Sequence, residues 1–206
     1  STLEKVKSEL VRSYASNGRY GAGVEIEEVK LPRNRIEINI EVDEGQSAKI
    51  EKMNIIGNEV FSNEELFKGF ELAEGSFFSF LSSNDAYSRE KLKGDIESLE
   101  SFYRDRGYIK FSLESSQVSL SRDKKSIFIT FNISEGKKYS IKDVEVIGDI
   151  PFEKIAYEDI TNSLKGQTYS QAQITAIEEY FISIMGNQGY AFAEVSGEPE
   201  INDDSE

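Results

Sequence analysis

The sequence predicts an α+β fold in which one β-α-α-β-β module recurs in tandem, with an incomplete copy at each end. Three observations predict it. The string Ile50-Glu51-Lys52-Met53-Asn54-Ile55-Ile56-Gly57 is answered 91 residues later by Ile141-Lys142-Asp143-Val144-Glu145-Val146-Ile147-Gly148. The pairs Glu44-Gly45 and Glu135-Gly136 repeat at the same spacing of 91. A third landmark occurs three times, as Gly18-Arg19-Tyr20, Gly107-Tyr108 and Gly189-Tyr190, in steps of 89 and 82. A unit of roughly 80–90 residues is a small domain and not a solenoid repeat of 20–50.

The complete copy, 47–137, reads in order. Ile50, Met53, Ile55 and Ile56 form a short apolar strand that Gly57-Asn58 ends. Ser62 and Glu65 then stand at capping-box spacing, with Phe61 and Leu66 placed as a hydrophobic staple, so a helix starts there. A second helix begins near Ser88, carries Leu92, Ile96, Leu99 and Tyr103 on one face, and is stopped by Gly107. Two strands follow, Tyr108 to Leu120 and Ser126 to Ser134, the latter alternating through Ile127, Ile129, Phe131 and Ile133.

The flanking copies fit the same template but are cut. Residues 1–46 begin inside a second helix, with Leu3, Val6, Leu10 and Tyr14, and end in the alternating strand Ile36, Ile38, Ile40, Val42. Residues 138–206 repeat the capped start as Ser170 and Gln173, with Tyr169 and Ile174 as the staple, and reach Ile201 without a third strand. Both ends read as boundaries of an excised piece, and sheets of this size need three strands. The terminal copies are therefore expected to be poorly ordered or paired with neighbouring molecules.

In the strand after each Gly-Tyr landmark the apolar phase slips. Ile109, Phe111 and Leu113 are odd, Val118 and Leu120 even; Val24 and Ile26 give way to Val29 and Leu31, and Tyr190 and Phe192 to Val195. A β-bulge would flip the phase, and bulges are favoured on edge strands, so this strand is read as an edge open to an added strand. The alternative is that the phase changes simply because the strand leaves the core.

Composition narrows the function. With 38% hydrophobic and 11% aromatic residues the chain can build real cores, and no run approaches the roughly 20 apolar residues of a membrane-spanning helix. The net charge of −14, distributed as −2, −3 and −9 over 1–45, 46–136 and 137–206, argues against nucleic acid and an anionic lipid surface as partners. Cysteine and histidine are absent, which removes thiol nucleophiles, the usual zinc sites and the commonest general base. Glu27-Glu28, Glu64-Glu65 and Glu178-Glu179 are sequence neighbours, which on a helix do not face one another, and read as solvated faces. The closing run from Asn202 lacks the glycine and spaced glutamate of a calcium loop. No catalytic residue, metal or cofactor is expected.

Longer strings carry a family resemblance. Leu31-Pro32-Arg33-Asn34-Arg35, Asn54-Ile55-Ile56-Gly57-Asn58, Tyr103-Arg104-Asp105-Arg106-Gly107-Tyr108, Gln117-Val118-Ser119-Leu120 and Asp123-Lys124-Lys125 closely resemble the POTRA repeats of the bacterial outer-membrane β-barrel assembly machinery, in order and over essentially the whole chain. The resemblance implies modules with two helices on a three-stranded mixed sheet, located in the periplasm and preceding a membrane barrel outside this chain. In register the chain looks like the latter part of the second POTRA repeat, all of the third and most of the fourth. The implied activity is non-enzymatic: receiving unfolded outer-membrane proteins, with accessory lipoproteins as assembly partners. The augmentation edge of that family, and its contact with the β-propeller lipoprotein, map onto Glu114, Ser115, Ser116, Gln117, Val118, Ser119 and Leu120.

Phe77, Phe78 and Phe80 form the most apolar loop candidate, either an exposed partner patch or a cluster tucked under its own helices. A static spacer or lipoprotein-docking arm is the alternative function, since it needs the same edges and short linkers. The repeats of a related autotransporter-export or secretion barrel are the other, against which the Leu31 to Arg35 string speaks.

Overall fold

The structure is a computed structural model that describes residues 2–74, 87–151 and 155–203. Residues 1–99 with 113–134 form one compact unit, and 100–112 with 135–206 form a second. The elements in chain order are α1 (Thr2–Ser16), β1 (Gly23–Leu31), β2 (Arg35–Asp43), β3 (Lys49–Ile56), α2 (Asn63–Phe67), α3 (Arg89–Arg104), β4 (Ser112–Leu120), β5 (Ser126–Ser134), α4 (Ile155–Leu164) and α5 (Gln171–Asn187).

In the first unit β3, β5 and β4 make a three-stranded sheet in that order. β3 runs parallel to β5, as its connection through two helices permits, whereas the short turn between β4 and β5 is what an antiparallel pair accepts. Ile50, Met53 and Ile55 on β3 and Ile127, Ile129, Phe131 and Ile133 on β5 are all buried, with Leu66 of α2 and Leu92 and Leu99 of α3. Each such side chain contributes about 1.5–3 kcal/mol on burial. α2 starts at the expected place: Ser62 Oγ accepts from Glu65 N–H at 3.3 Å while Glu65 accepts from Ser62 N–H at 3.0 Å. It is only one turn long, and the chain beyond it is tied down otherwise. Asp95 of α3, buried, accepts from the N–H groups of Glu71 at 2.6 Å and Leu72 at 3.1 Å.

The first unit also holds the hairpin β1–β2, which pairs in one uninterrupted register from Gly23 opposite Asp43 to Leu31 opposite Arg35, with α1 against β1. Arg33 and Asn34 turn it, both with left-handed φ (65° and 57°), as a tight hairpin turn demands. This copy thus keeps a two-stranded sheet of its own.

In the second unit Tyr103, fully buried at the end of α3, stacks on Phe111 at 4.3 Å and meets Tyr108 edge-on at 5.7 Å. Ser170 caps α5 by accepting from Gln173 N–H at 3.3 Å, but Gln173 turns its amide to Gln167, so only half of the expected box forms. Tyr157 and Phe181 join α4 to α5 edge-on.

Three expectations need correction. The strand expected at Ile141–Gly148 does not form; the chain there makes the isolated bridge Ser140 to Thr168 and main-chain bonds from Ile141 N–H to Gln167 O and from Gly166 N–H to Ile141 O. The reason is visible in the complete copy, where β3 draws its ladder from β5, and the third copy brings no counterpart of β5 within the described residues. The described residues 190–203 likewise carry no strand. Finally, a bulge does not explain the phase slip in β1, which pairs regularly throughout: Val24 and Ile26 lie on the face that packs, and Val29 and Leu31 on the opposite face towards the hairpin tip. In the middle copy Ile109 and Phe111 belong to a turn and β4 begins only at Ser112, while the change of phase from Leu113 to Val118 falls inside β4. The recorded irregularity lies in β3, between Ile50 and Lys52.

Candidate functional site

The residues singled out from the sequence, Glu114 to Leu120, form nearly all of β4, an edge strand of the three-stranded sheet. Their placement follows from three contacts with β5. Asn132 Nδ2 donates to Ser115 Oγ at 2.8 Å, Ser119 Oγ donates to Phe128 O at 3.5 Å, and Ser121 N–H donates to Ser126 O at 2.9 Å. One register satisfies all three, with Ser115 opposite Asn132 and Ser119 opposite Phe128. Ser115, Gln117 and Ser119 then lie on the sheet face away from the buried side chains of β5. Ser116, Val118 and Leu120 lie on the helix side, and their main-chain groups alternate away from β5. Val118 and Leu120 stay 38% and 36% exposed.

The opposite edge is built differently. In β3 the irregularity at Glu51 interrupts the ladder, and the Glu74 carboxylate accepts from Met53 N–H at 2.7 Å. A bulge and a side-chain cap are both devices that discourage strand addition. The two edges of one sheet therefore differ in what they offer: β3 is blocked, and Ser116, Val118 and Leu120 of β4 are turned outward. Neither Glu74 nor the irregularity was found from the sequence; a lone glutamate carries no local signal of a main-chain cap formed across the fold.

Phe77, Phe78 and Phe80 lie outside the described residues. The glutamate pairs are placed as follows: Glu27 and Glu28 are exposed on β1, Glu65 completes the cap of α2 with Glu64 exposed beside it, and Glu178 accepts from Gly197 N–H. Asp203, from the closing acidic run, accepts from Lys110 Nζ at 2.6 Å and from Tyr139 Oη at 2.6 Å. The Lys110 ammonium holds the Asp203 carboxyl below the usual carboxylate range.

The joints between copies are a second recurring geometry. Gly18 and Gly107, both with left-handed φ (76° and 95°), accept through their carbonyls from the N–H groups of Ala48 at 2.8 Å and Tyr139 at 2.9 Å. Ala48 and Tyr139 are 91 residues apart, so the same contact is made at the start of the second and third copies. Next to each, a tyrosine at the helix end donates to the glutamate of the Glu-Gly pair, Tyr14 to Glu44 at 3.4 Å and Tyr103 to Glu135 at 2.7 Å.

An α+β sheet of order β3-β5-β4 under two helices, with recurring joints, defines a tandem-repeat module, and the comparisons give its family. The sequence model described as "POTRA: Surface antigen variable number repeat" matches residues 48–136 and 139–206, and the chain belongs to the POTRA family. The outer membrane protein assembly factor BamA of Neisseria meningitidis serogroup B is 30% identical over 205 residues, covering 98% of this chain and 26% of that protein. BamA of Buchnera aphidicola is 30% identical over 190 residues, 92% of this chain and 31% of that protein. The chain thus spans between a quarter and a third of the length of these curated relatives. The crystal structure of Haemophilus influenzae BamA POTRA3-5 superposes with a TM-score of 0.57 at 18% identity, covering 100% of this chain and 76% of that one, which supports the fold.

Proposed function

We propose that this chain is a periplasmic, non-enzymatic segment of an outer-membrane β-barrel assembly factor, and that β4 takes up extended segments by β-augmentation. The observation that carries the reading is the difference between the two edges of the sheet: β3 is interrupted and capped by Glu74, whereas Ser116, Val118 and Leu120 turn main-chain groups outward. Main-chain pairing at such an edge recognises an extended chain with little regard to its sequence, which suits unfolded outer-membrane proteins. Contacts of about 4 kcal/mol, millimolar each, can be made and released in turn along an array. An accessory lipoprotein of β-propeller form fits the same edge at the middle copy. The copies are assigned as 1–46, 47–137 and 138–206, the first and last partial.

The recurring joints at Gly18 and Gly107 favour a second reading, a stiff spacer that docks lipoproteins and touches no client. One pair of variants tests the edge. Val118→Pro removes an outward N–H and leaves the ladder to β5, whereas Ser119→Pro removes a donor directed at β5. Val118→Pro is expected to keep the melting temperature within a few degrees and to abolish photo-crosslinking from position 117 to nascent barrel proteins in cells. Crosslinks to lipoproteins alone, in the parent chain, would favour the spacer.

A further inference from the structure

The two faces of β4 are unlike. With Ser115 opposite Asn132 and Ser119 opposite Phe128, odd positions share the outer face of the sheet and even positions the helix side. The outer face carries Ser115, Gln117 and Ser119. The helix side carries Val118 and Leu120, partly exposed at the rim of a core in which Ile127, Ile129 and Phe131 are buried. Polar and apolar side chains thus alternate from Gln117 to Leu120.

The face of a residue also decides where its main chain points. Odd residues bond to β5, as Ser121 N–H does to Ser126 O, so the outward N–H and C=O groups belong to Ser116, Val118 and Leu120. A strand added antiparallel sets a residue directly opposite each of these, with its side chain on the same face. The guest residues that bond to β4 are therefore the ones that touch Val118 and Leu120. Those between them lie beside Gln117 and Ser119.

We propose that the β4 edge, taken as the augmentation site inferred above, selects segments in which apolar and polar residues alternate. The guest adds antiparallel, its apolar set against Val118 and Leu120 and its polar set beside Gln117 and Ser119. The main chain supplies most of the affinity whatever the sequence, and the two faces add a preference for a pattern. A block of apolar residues would put hydrocarbon into water beside Gln117 and Ser119, and a block of polar ones would leave Val118 and Leu120 uncovered. Phe128, the exposed apolar residue of the outer face, lies on β5, two strand spacings or roughly 9.6 Å from a guest. Period-two alternation is the pattern of a membrane-spanning β-strand, apolar towards lipid and polar towards the lumen. Antiparallel addition is favoured because that pairing is the more stable per residue.

The test titrates short peptides of alternating valine and threonine, with a lysine at each end, into the isotope-labelled chain and follows backbone amide shifts. A comparison peptide holds the same residues as one valine block and one threonine block. The alternating peptide is expected to bind roughly fivefold tighter, the worth of two apolar cross-strand pairs, and to shift the Ser116, Val118 and Leu120 amides. Methylating the valine main-chain nitrogens is expected to abolish binding, and methylating those of threonine to leave it within roughly twofold. Val118→Thr with Leu120→Thr, which keeps β-branched or exposed positions foldable, is expected to erase the preference between the peptides while both still bind. Equal affinities in the parent chain, with valine methylation still abolishing binding, overturn the pattern preference and leave the augmentation reading standing. Loss of binding on threonine methylation alone overturns the proposed face and direction. Binding that neither methylation touches, or no binding of any peptide, overturns both this proposal and the augmentation reading beneath it.

Discussion

Tyr103 Oη donates to Glu135 Oε1 at 2.7 Å, both residues being buried, and the same contact recurs one copy earlier between the half-buried Tyr14 and the exposed Glu44 at 3.4 Å. The pair staples the end of a module's second helix to the Glu-Gly turn that closes the module. Tyr103→Phe removes one buried hydrogen bond to a charged acceptor and is expected to cost about 1.5–3 kcal/mol, whereas Tyr14→Phe is expected to cost under about 0.5 kcal/mol. Urea denaturation followed by circular dichroism checks both, the midpoint moving and the slope staying constant.

The same tyrosine sets an alkaline limit. Burial first, then the hydrogen bond to and charge of Glu135, push the Tyr103 phenol far above its ordinary value of 10. A pKa raised on folding gives stability that is full below the unfolded value and is lost as pH rises beyond it, since only the unfolded chain then releases the proton. Stability is expected to fall above about pH 10. In absorbance titration at 295 nm one phenol should ionise only with unfolding. In Tyr103→Phe that delayed step should vanish.

Asp95 makes the complementary case for a carboxyl. Burial raises its carboxyl above the ordinary 3.8, although the N–H groups of Glu71 and Leu72 pull the other way. The stability linked to its proton is present below the unfolded pKa and lost as pH rises through the folded one. Asp95→Asn abolishes that pH dependence but offers one acceptor to two N–H donors, and the stranded donor is expected to cost about 1–3 kcal/mol. The difference in denaturation midpoint between parent and variant is expected to shrink from pH 3 to pH 7, because only the parent carries the Asp95 proton. Parallel curves would mean that Asp95 does not titrate in this window.

Glycine at the joints gives a matched comparison. A Cβ on Gly107 would stand 2.8 Å from Tyr139 O and 2.8 Å from Thr168 Cγ2, whereas at Gly189, with nearly the same φ of 96°, nothing lies within 4 Å. Gly189→Ala therefore bears only the left-handed backbone strain, about 1–2 kcal/mol. Gly107→Ala adds the clash and the loss of the Tyr139 contact, and is expected to cost at least about 2 kcal/mol more. Thermal melts of the two variants separate the terms.

These residues also show what a sequence discloses. The Ser62 cap, the alternation in β5 and the glycine stops are local or periodic signals, and each places an element correctly. Ile141 to Ile147 carries the same local pattern as β3 and still forms no ladder, because parallel pairing depends on a strand far along the chain. Glu74 and Asp95 fall in the same class: each serves main-chain N–H groups 21 to 24 residues away, and nothing adjacent marks them. β4 could be recognised as an edge from sequence, but not that the opposite edge is blocked.

The contrast of edges is open to hydrogen exchange. In β4 the register directs Ser115, Gln117 and Ser119 at β5, and their amides are expected to be protected, while Ser116 and Val118 exchange fast. In β3 the Met53 amide lies on an edge and is expected to be protected all the same, because Glu74 accepts from it at 2.7 Å. A hydrogen bond to a charged group contributes about 1.5–3 kcal/mol, so Glu74→Ala should speed exchange at Met53 at least tenfold. Exchange at Ile129, inside the sheet, should stay near the parent's. Full protection of Ser116 and Val118 in the isolated chain would sink the augmentation reading, since an edge already satisfied has nothing to offer an incoming strand.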